Sequence, residues 1–270
     1  MEINKKVSCS LDNVKEICPL IHHITNYVTV SRCADVVLAL GASPVMASAP
    51  IEVADMVKIS NALVLNIGTC SPENMKSMLI AGKAANENNI PVVLDPVGIG
   101  ATPFRYNMIM EFLDELKFQV IKGNLSEIKC IAGLKSKSRG VDSLDLDENS
   151  ANIAKTLAKK LDCTIAITGK HDVISNGKDT YVLNNGHMLL TTITGTGCMT
   201  TSLIGCYLGA NNDSISSAIA GISTMSIAGE LAAKRMTKLD GSGSFKTYLM
   251  DAIYNMDTAT IIKEMKINHA

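Results

Sequence analysis

The sequence predicts an α/β fold, with helices on both faces of a central, mostly parallel sheet that carries a small antiparallel edge. Short, continuously apolar runs alternate along the chain with longer segments of helical spacing, which is typical of parallel strands buried between helix layers. After Thr168 the pattern changes to short runs separated by Asn-Gly turns, which are typical of hairpins. No linker and no internal repeat divides the chain, so we expect a single domain over residues 1–270.

The first half of the chain supplies strands of the parallel part. Residues 62–67 form an apolar run, and Ser71 followed by Pro72 then marks a helix start, because Ser caps helices well and Pro is tolerated at the first position. That helix ends near residues 88–89, and residues 90–94 form the next strand. Strand and helix therefore alternate from the start of the predicted sheet.

The alternation continues through the middle of the chain. Residues 104–116 have helical spacing, and residues 118–121 form a third strand. Apolar residues recur at helical spacing over 153–161, and residues 163–168 form a fourth strand. The polar stretch 136–149 between them is predicted to be a surface loop.

The antiparallel edge follows the last parallel strand. Asn176-Gly177 and the segment 184–186 are turn signals that separate short apolar runs. Helical patterns resume at about Cys198 and fill most of the remaining chain. Three short strands are predicted here: 172–175, 180–183 and 187–190.

Composition excludes several classes of protein. The formal charge of −1 predicts no nucleic-acid partner, and no run of 18 apolar residues indicates a membrane span. The eight cysteines form no CxxC pair and no cluster with zinc-like spacing. The first ten residues are polar and lack the apolar core of a secretory signal, so we expect a cytoplasmic protein.

The strongest local motif is the segment 191–202, in which Gly195 and Gly197 precede an apolar helix pattern of small residues. Glycine permits close backbone approach, and a helix N-terminus offers N–H donors with partial positive charge. Phosphoryl transfer depends on such donors, since it relies on positioning and charge stabilisation. An ordinary tight turn before a buried helix fits the pattern equally well. The segment is not a Walker A motif, because no Gly-Lys-Ser/Thr follows.

Polar residues also follow several of the predicted strands, where ligands bind in open α/β sheets. Asn124 and Glu127 lie one helical turn apart and suit Mg²⁺, although an Asn cap with Glu three residues on explains the same pattern. Asp95 before Pro96 is either a holder of magnesium-bound water or a turn residue. Lys122 is either a phosphate contact or a solvated charge.

A further polar group closes the first predicted strand. It runs from His22 through His23 to Asn26. Asn26 or His23 is a candidate substrate contact, and partly buried polar residues at a strand end are the alternative. The paired histidines have no third ligand at helpful spacing, so we do not expect a zinc site.

Taken together, seven motifs in order over roughly residues 20–230 resemble the hydroxyethylthiazole kinases of the ribokinase-like superfamily. These motifs are His23-Ile-Thr-Asn-Tyr-Val-Thr29, Gly41-Ala-Ser-Pro-Val-Met46, Asn66-Ile-Gly-Thr69, Leu94-Asp-Pro-Val-Gly98, Lys122-Gly-Asn-Leu-Ser-Glu127, Ile167-Thr-Gly169 and Gly195-Thr-Gly-Cys198. The resemblance implies ATP-dependent phosphorylation of 4-methyl-5-(2-hydroxyethyl)thiazole in thiamine salvage. It also implies a homotrimer with active sites near the subunit boundaries.

The resemblance also implies roles for particular residues. Met46, Gly195 and Asn26 are implied to line the thiazole pocket. The nucleotide is implied to contact Lys122 and Thr168, with Asn124 beside them. Asp95 and Glu127 are implied to lie around Mg²⁺ and the phosphates. Cys198 stands at the position of the catalytic base, after the amides of Thr196 and Gly197.

Two positions depart from the patterns of related kinases. Lys122 stands where the family usually has Arg, so the charge is kept and the planar fork is lost. Cys198 stands where the wider superfamily usually has Asp, which favours the thiazole branch over kinases for hydroxymethylpyrimidine or sugars. A nucleotide-dependent NAD(P)HX dehydratase and a binding protein without turnover are the alternatives from other classes.

Overall fold

The computed structural model describes residues 2–134 and 143–270. The strands of the described residues all join one nine-stranded sheet. Their bounds are β1 (Leu20–Ile24), β2 (Ser43–Val45), β3 (Ala62–Asn66), β4 (Val92–Asp95), β5 (Val120–Asn124), β6 (Thr164–Thr168), β7 (Asp172–Ser175), β8 (Thr180–Leu183) and β9 (Ile267–His269).

Helices connect the strands and make up the C-terminal third. Their bounds are α1 (Glu2–Ile17), α2 (Val30–Leu40), α3 (Val53–Lys58), α4 (Pro72–Glu87), α5 (Pro103–Glu115), α6 (Leu125–Ile131), α7 (Ser143–Leu161), α8 (Thr196–Asn211), α9 (Ser214–Arg235), α10 (Ser242–Tyr254) and α11 (Thr258–Glu264). A short 3₁₀-helix covers Met188–Thr192.

The sheet has the order β2-β1-β3-β4-β5-β6-β7-β8-β9. The pairs from β2 to β6 are parallel, and the pairs from β6 to β9 are antiparallel. The predicted mixed sheet is therefore confirmed. The six strands from β2 to β6 in this order run parallel, so their carboxyl ends lie at the same edge of the sheet. The residues that follow β1, β3, β4, β5 and β6 are therefore brought together there.

Each face of the sheet has its own hydrophobic core. Side chains alternate along β3, so Val64 faces one core while Leu63 and Leu65 face the other. The first core contains α1, α2 and the helices from α8 onward, and Tyr207 is its largest fully buried side chain. The second contains α3 to α7, and Phe112 is its largest fully buried side chain. Helix layers on both faces confirm the predicted architecture.

Most predicted elements are found with small shifts at their ends. The helix start at Ser71 is confirmed, since the Ser71 hydroxyl accepts the Asn74 N–H at 3.2 Å. The strands 172–175 and 180–183 have the predicted bounds. The helix expected from about Cys198 begins two residues earlier, at Thr196.

The prediction of a strand over 187–190 is wrong. The position beside β8 is taken by β9, which pairs Leu183 with Ile267 and Tyr181 with His269. The segment instead forms the 3₁₀-helix, whose start is capped by the His187 ring accepting the Leu189 N–H. Strand β9, which is distant in sequence, pairs with the edge of β8 that a third hairpin strand would need.

The prediction of a surface loop over 136–149 is wrong for residues 143–149, which the structure describes. Residues 135–142 lie outside the described residues, and from Ser143 onward the chain is already in α7. Acidic residues are common in the first turn of a helix, because the N-terminus of a helix carries partial positive charge. Polar composition alone does not separate a loop from such a first turn.

Helix α9 is the one described helix long and apolar enough to cross a membrane. Most of its apolar stretch, 83%, is buried inside the protein, where it packs against α8 and α10. Its composition is therefore explained by its place in the first core.

Candidate active site

The first turn of α8 lies at the carboxyl edge of the sheet, and Gly195 shapes it. Gly195 precedes the helix with φ 93°, and a Cβ there would lie 2.5 Å from the Thr29 side chain. The first intrahelical bond runs from Met199 N to Gly195 O. The amides of Thr196, Gly197 and Cys198 therefore precede the helical ladder and are donors for an anion.

The Cys198 thiol is held by two asparagine side chains. Asn26 Nδ2 lies 3.4 Å from Cys198 Sγ, and Asn66 Nδ2 lies 3.3 Å from it. Asn26 also donates to Asn66 Oδ1 at 2.9 Å. Both asparagines are almost fully buried, whereas Cys198 is half-buried, so its thiol lies at the outer end of this buried polar group.

The Asp95 carboxylate joins the same hydrogen-bonded group and links Asn66 to helix α8. Its Oδ2 accepts from Asn66 Nδ2 at 2.8 Å and from the Thr201 hydroxyl at 2.7 Å. Its Oδ1 is buried and has no hydrogen-bond partner among the described residues. A buried carboxylate oxygen without a partner is costly, so this atom is suited to a water or a cation.

Lys122 is buried beneath the same turn. Its Nζ donates to Gly197 O at 3.1 Å and lies 3.7 Å from Asp95 Oδ2, and only 4% of the residue is exposed. A Cβ on Gly197 would lie 3.2 Å from this Nζ, which explains the glycine. The ammonium group thus supplies positive charge under the exposed backbone of Gly197.

Asn124 and Glu127 form a complete capping box at the start of α6. Asn124 Oδ1 accepts the Glu127 N–H at 2.9 Å, and Glu127 Oε2 accepts the Asn124 N–H at 2.8 Å. Glu127 Oε1 also accepts the Gly98 N–H at 3.0 Å. The structural explanation of this motif is therefore present, and the carboxylate also reaches the loop after Asp95.

Asp95 and Glu127 fit a magnesium ion held through water. Burial raises the pKa of the Glu127 carboxyl, and the negative charge of the Asp95 carboxylate raises it further. A divalent cation between them would relieve that repulsion and give Asp95 Oδ1 a partner. The described residues contain no cluster of three or more ligands for a tightly bound metal.

A cavity of about 560 Å³ opens beside the first turn of α8. Thr168, Thr196 and Gly197 line it where it meets the site, and Asn185 and Asp172 line its far walls. The Thr168 hydroxyl donates to Gly123 O at 3.4 Å across the ends of β5 and β6. The volume suits a nucleotide, whose phosphates would point toward the α8 amides.

Asp172 lies in the wall of this cavity and is almost fully buried. Its Oδ1 accepts the Gly169 N–H at 2.9 Å and so fixes the turn after β6. Burial raises the pKa of the Asp172 carboxyl to about 6, against the opposing effects of the Gly169 N–H and Lys122.

Two other predicted substrate contacts, His23 and Met46, make no side-chain hydrogen bond to the Cys198 thiol among the described residues. His23 is 1% exposed, its Nδ1 lies 3.1 Å from Ile21 O, and its Nε2 lies 3.0 Å from Ser202 Oγ. Since a carbonyl only accepts, Nδ1 carries the proton and Nε2 accepts from Ser202. Met46 follows β2, and His22 Nε2 holds the adjacent Ala47 O at 2.8 Å.

Sequence reasoning did not single out Asn66, Thr201 or Asp172 as site residues. Asn66 ends an apolar strand that is otherwise buried throughout, and this signal marks it in the sequence. Thr201 lies one turn after Gly197 on α8, so helical spacing from the glycine motif also reaches it. Asp172 begins a short strand, and no local pattern distinguishes it from a turn residue.

Comparison with known proteins identifies the family. The sequence model of the hydroxyethylthiazole kinase family matches residues 11–259. The hydroxyethylthiazole kinase of Alkaliphilus oremlandii is 51% identical over 269 residues, which is 99% of each chain. This chain belongs to the hydroxyethylthiazole kinase family. It is therefore a phosphotransferase that uses a nucleotide, as the seven motifs predicted.

Solved structures agree with this family. The hydroxyethylthiazole kinase protein from Pyrococcus horikoshii superposes with a TM-score of 0.90 at 35% identity, covering 98% of this chain and 99% of that chain. A pyridoxal kinase from Staphylococcus aureus has a TM-score of 0.61 at 14% identity, with 93% of this chain covered. An NAD(P)H-hydrate dehydratase from Bacillus subtilis has a TM-score of 0.59 at 16% identity. These last two show only the shared ribokinase-like fold.

Proposed function

We propose that this hydroxyethylthiazole kinase family member transfers the terminal phosphoryl group of ATP to the hydroxyl of 4-methyl-5-(2-hydroxyethyl)thiazole in thiamine salvage. One observation carries the proposal. The first turn of α8 lines a nucleotide-sized cavity with Thr196 and Gly197, and the next residue carries a half-buried thiol held by Asn26 and Asn66. A phosphoryl group at the exposed Gly197 backbone would thus lie between donor and acceptor.

The nucleotide side of the site provides binding and charge. Thr168 and Thr196 line the cavity, and Asn124 is exposed at its neighbouring strand end, so these residues are proposed to contact ATP. The N–H groups of Thr196, Gly197 and Cys198 would donate hydrogen bonds to the transferring group and stabilise the negative charge that develops on it. Lys122 raises the local positive potential from below, through the Gly197 carbonyl that it holds.

The acceptor side provides orientation. We propose that Gly195, Met46 and Asn26 line the thiazole pocket and that the substrate hydroxyl lies beside Cys198. His23 supports this side from within, since it holds Ser202 on the helix that carries Cys198. The transition state of phosphoryl transfer is loose, so the hydroxyl proton can leave late and needs little assistance from a base.

Asp95 and Glu127 are proposed to hold Mg²⁺ through water, on the grounds of the unpartnered Asp95 oxygen and the interacting carboxylates. When bound, the cation neutralises charge on the phosphate oxygens. The Asp95 carboxylate is itself oriented by Asn66 and Thr201, so its position is set before any cation arrives.

Mass spectrometry of a reaction with ATP, Mg²⁺ and hydroxyethylthiazole tests the proposal directly. We expect phosphorylated thiazole and ADP, with no product when the thiazole is replaced by hydroxymethylpyrimidine or ribose. Phosphate release without phosphorylated thiazole, on addition of a hydrated nicotinamide cofactor, would instead favour the dehydratase. Nucleotide binding without any turnover would favour a binding protein.

We also propose that the chain is one kinase domain, acts in the cytoplasm and forms a homotrimer. Tyr27 is 78% exposed and Ile51 is 93% exposed, so large apolar side chains remain uncovered near the carboxyl edge of the sheet. Exposed apolar side chains of this kind favour an assembly that buries them between subunits, with sites near the subunit boundaries. Light scattering with size-exclusion chromatography measures its mass.

A further inference from the structure

Arg105 occupies an unfavourable place for a cation. It lies in the first turn of α5, where Thr102 caps the helix and accepts the Arg105 N–H at 3.3 Å. The N-terminus of a helix carries partial positive charge, so a guanidinium there is destabilised unless other groups compensate. Among the described residues, its three side-chain hydrogen bonds all go to backbone carbonyls, with no role in capping its own helix.

These carbonyls belong to two loops of the active site. Arg105 Nη1 donates to Ile67 O at 2.6 Å and to Val97 O at 2.8 Å. Arg105 Nη2 donates to Gly68 O at 2.8 Å. The loops follow β3 and β4, so they come directly after Asn66 and Asp95. The planar, rigid guanidinium group of Arg105 thus joins the two strand ends.

The first loop connects Arg105 to the Asn66 side chain. Arg105 holds the carbonyl of the Ile67–Gly68 peptide group, and the N–H of that same group donates to Asn66 Oδ1 at 2.9 Å. This bond fixes which side of the Asn66 amide is oxygen. The nitrogen therefore faces Cys198 Sγ and Asp95 Oδ2.

The second loop connects Arg105 to Glu127 in the same way. Arg105 holds the carbonyl of the Val97–Gly98 peptide group, and the N–H of that group donates to Glu127 Oε1 at 3.0 Å. Gly98 has φ 68°, a conformation that few other residues adopt, so this peptide orientation is built into the chain. Each peptide group is bound at both ends.

We propose that Arg105 is a positioning residue, which orients Asn66 and Glu127 through these two peptide groups without touching either substrate. The inference rests on the proposed function only for its kinetic readout. The bifurcated contact needs the fork of Arg, so a lysine at this position would hold one loop and release the other.

The test compares Arg105→Ala and Arg105→Lys with Arg235→Ala. Arg235 is a matched control, because it pairs with Asp251 and stacks on Tyr248 far from these loops. We expect Arg105→Ala to lower kcat at least tenfold with a smaller change in the KM of the thiazole. Low millimolar guanidinium should restore part of kcat, whereas equimolar urea should not, and Arg235→Ala should match wild type.

A double-mutant cycle separates positioning from general loss of structure. If Arg105 acts through Asn66, its replacement should cost much less kcat in an Asn66→Ala background than in wild type. Additive losses, or an unchanged kcat in a folded Arg105→Ala, would overturn the inference.

A second readout does not depend on activity. The Asn66 side-chain NH₂ resonance, assigned by its absence from Asn66→Ala, should shift in Arg105→Ala and stay in place in Arg235→Ala. An unmoved resonance contradicts the inference even if wild type proves inactive on the thiazole, and inactivity alone contradicts only the proposed function.

Discussion

The family resemblance implies that Cys198 is a base, but its surroundings favour orientation of the substrate hydroxyl over proton abstraction. The side-chain amide nitrogens of Asn26 and Asn66 lie within hydrogen-bond distance of its sulfur, beside the proposed phosphate site. A hydroxyl in place of the thiol can accept from the same amides, so Ser preserves the orientation that the site provides.

We therefore expect Cys198→Ser to keep more activity than Gly197→Val. The valine side chain would begin 3.2 Å from Lys122 Nζ and would project from the backbone that cradles the phosphoryl group. Valine keeps its N–H but should displace it from the phosphoryl group; loss of one oxyanion-hole side-chain donor costs about 10²–10³ in rate in a well-studied hydrolase, and we expect a loss of similar size here. Single-turnover rates of the two variants measure the difference. A dead serine variant beside an active valine variant would show that the thiol itself is essential.

At the scale of elements, the C-terminal strand β9 is tied to the wall of the cavity through Glu230 on α9. Glu230 Oε1 accepts the Gly186 N–H at 2.9 Å and the Lys266 ammonium at 3.1 Å. Asn185 Oδ1 in turn accepts the Lys266 N–H at 2.7 Å. Asn185 and Gly186 line the cavity, so this network fixes the loop that would meet the nucleotide.

We expect Glu230→Ala to weaken ATP binding about tenfold, because the Gly186 N–H and the Asn185 amide lose an acceptor. Glu230→Gln keeps an acceptor for Gly186 and loses the charge of the partly exposed Lys266 pair, which contributes little. Its affinity should stay within about threefold of wild type. Titration calorimetry with ATP and Mg²⁺ measures both. Equal affinities for the alanine variant and wild type would exclude a role for this network.

Local sequence signals predicted the elements whose partners lie nearby in the chain. The strands β3 to β8, the caps of α4 and α6 and the glycine turn before α8 all carry their own patterns. Sequence did not predict β9, because Ile267–His269 is three residues long and its pairing with β8 depends on tertiary structure. The same competition for the edge of the sheet explains the wrong strand at 187–190.

The site divides in the same way. Glycine spacing and polar strand ends predicted Gly195, Gly197, Asp95 and Lys122 as members of one edge. The contacts that join them pass through Asn66 and Thr201. Local patterns place these residues at a strand end and on α8, but their contacts with Asp95 form only where β3, β4 and α8 meet. Arg105 was still harder to predict from the sequence, because its proposed role depends on two loops that are separated by about thirty residues in the chain.

At the scale of the whole molecule, two buried groups give stability opposite pH dependences. Burial lowers the pKa of His23 to about 4, so the unfolded chain binds more protons between pH 4 and 6.5. The free energy of unfolding therefore falls as pH falls through that window. Burial raises the pKa of Asp172 to about 6, so the folded chain binds more protons between pH 3.8 and 6. That contribution to stability is present at low pH and is lost as pH rises.

Single substitutions should separate the two contributions. Asp172→Asn keeps an acceptor for the Gly169 N–H and removes the buried charge, so its stability relative to wild type should rise from pH 4 to pH 7, by up to about 3 kcal/mol.

His23→Asn keeps a donor for Ile21 O and removes the titrating ring, so its stability relative to wild type should rise as pH falls from 6.5 to 4. Urea unfolding of all three proteins across pH 4–8 measures both differences, and Thr247→Ala, on the exposed face of α10, controls for substitution alone. Difference curves that stay flat with pH would mean that neither group is held in the charge state that its burial requires.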